Sequence, residues 1–208
     1  AGVVALTSHR GRVRIGAFGV QDLESGVPMD RDTIFRILSM TKPVTAVATL
    51  LLVEDGTLRL EDPVERWLPE LADRRVLRAL DAPLDDTVPA ARPITILDLL
   101  TFRAGYGAVM APPGTYPIQR AMQEAGVEPG PRIFDGTPDE FVARVATLPL
   151  LHQPGERWHY HTGSELLGVL LERATDSTLD VLFAERIFAP LGMSDTGFHV
   201  PRAKLDRL

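Results

Sequence analysis

Pro43 limits what this chain can fold into more than any other residue. It stands near the start of TKPVTAVATLLLVEDG, residues 41–56. Proline lacks an amide proton and its ring collides with the carbonyl four residues back, so a helix accepts it only in the first turn. The spacing predicts a helix from about Thr41 to Asp55, with Gly56 as its stop. Val44, Ala46, Val47, Ala48, Leu50, Leu51, Leu52 and Val53 are apolar nearly all round, so this helix is expected to be central and buried. Four residues before Pro43 is Ser39, which must lie at the helix entrance.

At an entrance, oriented amides and the positive end of the helix dipole favour a developing anion. Lys42 follows Ser39 by three residues, the separation that shares a helix face. The chain uses arginine almost everywhere, and its other lysine is Lys204 in a polar tail. Guanidinium does not give up its proton in a protein, whereas an amine in an apolar setting does. Serine and lysine so placed suit a nucleophile with its general base. The plainer alternative is a serine cap followed by a solvated lysine.

Around this helix the chain alternates in character. Residues 2–7 and 12–19 flank a His9-Arg10-Gly11 turn and predict a hairpin. Thr33–Leu38 is strand-like, VERWLPEL suits a helical turn or two, and Pro83–Pro93 is a loop rich in Asp and Pro. Thr95 is placed to cap ILDLLTF. Further helices are expected at about Pro117–Ala125, Asp139–Thr147, Gly163–Ala174 and Thr178–Phe188. Residues 104–138 are otherwise irregular, as at the border of a binding site. The order predicts an α+β protein whose sheet lies mostly outside the sequence given.

Several spaced segments also carry a resemblance. GVPMDRDTIFRILSMTK, ITILDLLT, LLHQPGERWHYHTGSELLGVLLE and IFAPLGMSDTGF occur in that order. The chain resembles the serine β-lactamase and penicillin-binding-protein superfamily, in its class C-like branch of esterases, D-alanyl carboxypeptidases and transacylases. The resemblance implies a β-lactamase/transpeptidase-like fold, with an antiparallel sheet, flanking helices and an all-helical region. Residues 1–208 would be part of one hydrolase domain: sheet strands and nucleophile helix in 1–60, a helical and loop-rich region with the tyrosine motif in 61–190. The third motif of the superfamily, a Lys-Thr-Gly or His-x-Gly strand, and the C-terminal strands would be missing.

By the same resemblance Ser39 and Lys42 are catalytic, and Tyr160 is the tyrosine brought to the serine. Thr162 stands where the superfamily carries asparagine and would bind substrate. TFRAG, residues 101–105, replaces a His-Thr-Ser-Gly-like turn, with Arg103 at the pocket rim. The implied activity is an acyl-enzyme esterase on short acyl esters, with β-lactamase or D-alanyl-D-alanine carboxypeptidase as the alternative and a non-catalytic scaffold as the second. The implied partner is a small-molecule ester or amide, and no cofactor is implied.

Other classes have little to stand on. A net charge of −6 with scattered arginines argues against nucleic acid. The absence of cysteine excludes disulfides and thiolate metal sites and leaves the compartment open. No apolar run reaches membrane-spanning length. The opening AGVVALTSHRG reads as strand and turn, so the chain is expected to be processed or incomplete. His159 and His161, with His152 nearby, would suit zinc from one strand face, but no H-E-x-x-H occurs and packing histidines are the simpler expectation. There is no G-x-S-x-G elbow and no phosphate-binding glycine loop.

Overall fold

The computed structural model describes residues 2–208, which fall into two compact units. The first is built from the chain up to Met40 together with Phe188–Leu208, and the second is Thr41–Ile187.

In the first unit, β1 (Gly2–His9) and β2 (Arg12–Gly19) form the expected hairpin, in register from Gly2↔Gly19 to His9↔Arg12. Its two-residue turn, Arg10-Gly11, has φ of 49° and 76°. Positive φ at both positions is the type I′ geometry that matches strand twist. The strand-like Thr33–Leu38 forms no strand. Besides the local turns Thr33 N to Asp30 O and Met40 N to Ile37 O, its backbone bond among the described residues is Ile34 N to Arg207 O at 2.6 Å, with no ladder to extend it.

The second unit begins with α1 (Thr41–Glu54), within a residue of the expected bounds. Gly56, at φ 77°, closes it by donating to Val53 O. β3 (Arg75–Leu77) pairs antiparallel with β4 (Thr87–Pro89), which lies inside the Pro83–Pro93 stretch expected to be loop. Then come α2 (Ile96–Leu100), α3 (Pro117–Glu124), α4 (Pro138–Ala146), α5 (Thr162–Thr175) and α6 (Leu179–Phe183). The expected Thr178–Phe188 helix is therefore divided, with a π-helical turn over Ala184–Phe188.

Helix α5 is the centre of this unit and packs on α1, α2, α4 and α6. Leu166, Leu167, Leu170 and Leu171 are buried, against a core that includes Leu52, Ile96, Leu99 and Val142. Each such leucine contributes about 1.5–3 kcal/mol by leaving water. Arg173, near the end of α5, binds Glu70 at 2.8 Å and Asp139 at 2.6 Å, which fixes α5 to α4.

Helix α1 corrects the expectation of burial all round. Its buried stripe is Thr45, Ala48, Thr49 and Leu52, the i, i+3, i+4, i+7 pattern of one face. Thr49 is tolerated there because its hydroxyl donates to Thr45 O at 2.9 Å. Val47 and Leu50 remain 46% and 50% exposed. Among the described residues no helix is long and apolar enough to cross a membrane.

Candidate active site

Ser39 is the middle residue of a single 3-10 turn, Leu38–Met40, and is exposed. Leu38, just before it, holds a left-handed φ of 43°, uncommon for a residue with a branched side chain. Lys42 lies in the first turn of α1 and is half-buried. Its Nζ sits 4.9 Å from the centre of the Tyr160 ring, so the structure brings together two of the residues singled out in the sequence. A cation over an aromatic face is held by the ring quadrupole.

Two segments fix Tyr160. The first is Phe102–Ala108 and the second Leu151–His161. Leu151 N donates to Gly105 O at 2.7 Å, His159 N to Phe102 O at 2.8 Å, and Ala108 N to Tyr160 O at 2.8 Å. The glycines of AGYG make so close an approach possible. A Cβ at Gly105 would lie 2.3 Å from His152 O, and one at Gly107 would lie 2.6 Å from both His159 O and Tyr160 O. Both glycines also hold positive φ, 87° and 153°.

Aromatic side chains surround Tyr160. Trp158 stacks on it at 5.6 Å and 20°, and Phe102 meets Tyr160 at 5.6 Å and Trp158 at 6.1 Å. Trp158 is 57% exposed, so the cluster shows an open aromatic face. The sequence reading missed Phe102, since in TFRAG it fixed on the charged neighbour. Arg103 is exposed and its guanidinium reaches Glu156 O, at 3.5 Å.

Beyond Tyr160 the backbone is strained. His161 adopts φ 92°, ψ −79° at the entrance of α5 and offers the helix no side-chain cap. Such conformations cost about 1–3 kcal/mol and persist where surrounding contacts impose them. Its Nδ1 is 3.1 Å from Glu165 Oε2 yet misaligned for a hydrogen bond, and it has no other partner. Thr162 begins α5 fully buried, its hydroxyl without a hydrogen-bond partner.

The histidines do not converge on one point. His159 meets His152, with 2.8 Å between Nε2 and Nδ1, while His161 faces Glu165. Among the described residues no group of three or more His, Asp or Glu is arranged to hold a metal ion. Chemically, then, the second unit offers an amine against a phenol, backed by aromatic rings.

Comparison with known proteins gives this arrangement a setting. The family model described as Beta-lactamase matches residues 1–208. Protein Rv1367c of Mycobacterium tuberculosis is 44% identical over 201 residues, covering 96% of this chain and 48% of that protein. Esterase EstB of Burkholderia gladioli is 36% identical over 198 residues, covering 95% and 47%. Among solved structures, "EstCE1, a hydrolase with promiscuous acyltransferase activity" superposes with a TM-score of 0.82 at 31% identity, over 98% of this chain and 50% of that one. The chain spans about half the length of the curated relatives it matches.

Proposed function

Because the chain belongs to the beta-lactamase family, whose model matches it over residues 1–208, we propose that it carries the nucleophile half of a serine acyl hydrolase. Ser39 attacks an ester carbonyl. Lys42 and Tyr160 take the serine proton and return it to the departing alkoxide, leaving an acyl group on Ser39. Water then adds to the acyl carbon and frees the acid. The observation that carries this reading is the placement of the Lys42 amine 4.9 Å over the Tyr160 ring.

Short acyl esters are the favoured substrates. EstB is named an esterase at 36% identity, which supports ester over amide cleavage. The position that would hold an amide-binding asparagine is Thr162, and it is fully buried. A substrate contact by Thr162 therefore requires the first turn of α5 to open. A second reading, release of the acyl group to an alcohol acceptor instead of water, is supported by EstCE1, whose description includes acyltransferase activity.

The test is hydrolysis of p-nitrophenyl acetate and butyrate by the full-length protein and its Ser39→Ala variant, with labelling by a fluorophosphonate. We expect the variant to lose activity by orders of magnitude and the label to map to residues 35–42. Equal hydrolysis by both proteins, or a label elsewhere, removes Ser39 from the mechanism. Adding a primary alcohol distinguishes the second reading, since transfer yields a new ester in place of free acid.

A further inference from the structure

The loop that delivers Tyr160 leaves one short segment and returns to it. At its start Leu151 N and His152 N both donate to Gly105 O, at 2.7 and 3.4 Å. At its end His159 N donates to Phe102 O, and Tyr160 O accepts from Ala108 N. Across its mouth the two imidazoles stack, with centroids 4.9 Å apart and planes 19° from parallel. His152 Nδ1 lies 2.8 Å from His159 Nε2. Between the two histidines Gln153 N and Glu156 N bond within the loop, at 3.2 Å to Glu156 Oε2 and 3.0 Å to Gln153 O. Gly155 N donates to Arg103 O at 2.7 Å and Gln153 Oε1 accepts from Ala91 N at 2.8 Å, so the middle of the loop is tied and the histidines close its mouth.

We propose that this His152–His159 contact is the clasp that closes the loop and holds Tyr160 against Lys42, which makes both histidines positioning residues for the acyl-transfer reaction. The inference rests on the role given to Tyr160 under Proposed function. His159 is 8% exposed, and its Nδ1 faces Ala108 O at 3.5 Å. That assigns the His159 proton to Nδ1 and leaves Nε2 as an acceptor. His152 must then donate from its own Nδ1, so a single N–H fills the gap. One extra proton, taken by His152 at its other nitrogen, preserves the bond. A second sets N–H against N–H and opens the clasp.

The surroundings resist those protons. His152 lines an open cleft of about 510 Å³ with Arg78, Glu156 and Arg157, and Arg103 reaches the loop from the Phe102–Ala108 segment. Burial holds both imidazoles below the usual histidine range. His159 and Arg157 add to this at His152 and Arg157 does so at His159, while the Ala108 carbonyl opposes it at His159 and Glu156 opposes it at both. The clasp is therefore closed at neutral pH and fails in acid.

Two readouts test it on the full-length protein. His159→Leu removes the acceptor, and we expect kcat to fall on the order of 10-fold or more with KM nearly unchanged. His152→Asn/His159→Gln retains a donor facing an acceptor with nothing to titrate, and we expect it to keep kcat within about threefold. An unchanged kcat in His159→Leu, or an equal loss in the double variant, overturns the proposal. The second readout needs no catalysis. Trp67 and Trp158 are the two tryptophans of residues 1–208. In a background where Trp67 and any tryptophan outside these residues are replaced by Phe, the emission of Trp158 should titrate in acid, below the usual histidine range, in the parent and not in the double variant. Emission that is flat in the parent, or that titrates alike in both, also overturns it. This measurement stands on a Ser39→Ala protein, so failure of the clasp and failure of the serine assignment give different results.

Discussion

Helices α4 and α5 pack against each other yet enter their first turns in opposite ways. Helix α4 opens by the rules of local sequence. Thr137 Oγ1 accepts from Glu140 N at 3.2 Å, Glu140 Oε2 accepts from Thr137 N at 2.7 Å, and Pro138 supplies a preset φ. Helix α2 repeats the device with Thr95 and Asp98. Helix α5 has neither cap nor proline, and it is entered through His161 at φ 92°. A capped entrance contributes stability of its own, whereas an uncapped and strained one must be held by the rest of the fold. The strained entrance is the one that presents Tyr160, where local rules give way to positioning.

The harshest way to break that comparison is to remove what holds the α5 entrance. Gly107→Ala places a Cβ 2.6 Å from the carbonyl oxygens of His159 and Tyr160, backbone atoms that cannot swing aside. With strain at a φ of 153° added, the expected loss is about 2–4 kcal/mol in urea unfolding. Activity should fall beyond what the unfolded fraction explains, because Tyr160 moves. A variant as stable and active as the parent would mean that the Phe102–Ala108 segment does not hold the entrance.

Why this support was illegible in the sequence follows from its physics. Pro43 and Gly56 act through their own backbone, and Thr95 through a residue three positions on, so α1 and the α2 cap could be read directly. The Ser39–Lys42 spacing lies within one turn and was legible for the same reason, whereas the PGERWHY segment stood out only through its resemblance to the superfamily. The ribbon of β3 and β4 instead depends on residues far along the chain, including the donation from Leu77 N to Leu150 O. Phe102 reaches Trp158 and Tyr160 across more than fifty positions, a contact with no periodic signature. The burial of α1 failed as an expectation because an apolar sequence states what surface is available to bury. Whether Val47 and Leu50 are covered depends on what packs there, and in this structure they are exposed.

Smaller effects sharpen the contrast. Thr137→Ala deletes one half of the α4 box and should cost about 1 kcal/mol, read as a lower urea midpoint with kcat unchanged. His161→Gly should leave stability within about 1 kcal/mol of the parent, since relief of strain offsets the added freedom of glycine. Its kcat should nonetheless drop, as the turn that aims Tyr160 is no longer imposed. Should His161→Gly destabilise by more than Thr137→Ala, the α5 entrance is not strained in the sense argued here.

The finest distinction is one of pH. The carboxyl of Glu140 is held below its ordinary value of 4.5 by the backbone amide and then the hydroxyl of Thr137. A depressed carboxylate gives support that is complete above the unfolded value and lost as pH falls through the folded one. The imidazoles of His152 and His159 are also held below their ordinary 6.5, chiefly by burial. Here the unfolded chain takes up protons first, so support for the α5 entrance is complete above about 6.5 and drains away as pH falls through the lower folded values. The two entrances should therefore weaken in different windows. Hydrogen-exchange protection in residues 159–165, corrected for intrinsic rates, should begin to fall once the pH drops below 6.5, while the first turn of α4 keeps its protection until the pH drops below 4.5. In His152→Asn/His159→Gln the earlier loss should vanish and the later one remain. Simultaneous loss in both helices would show that they open as one cooperative unit, and that the difference between their first turns is not felt in their stability.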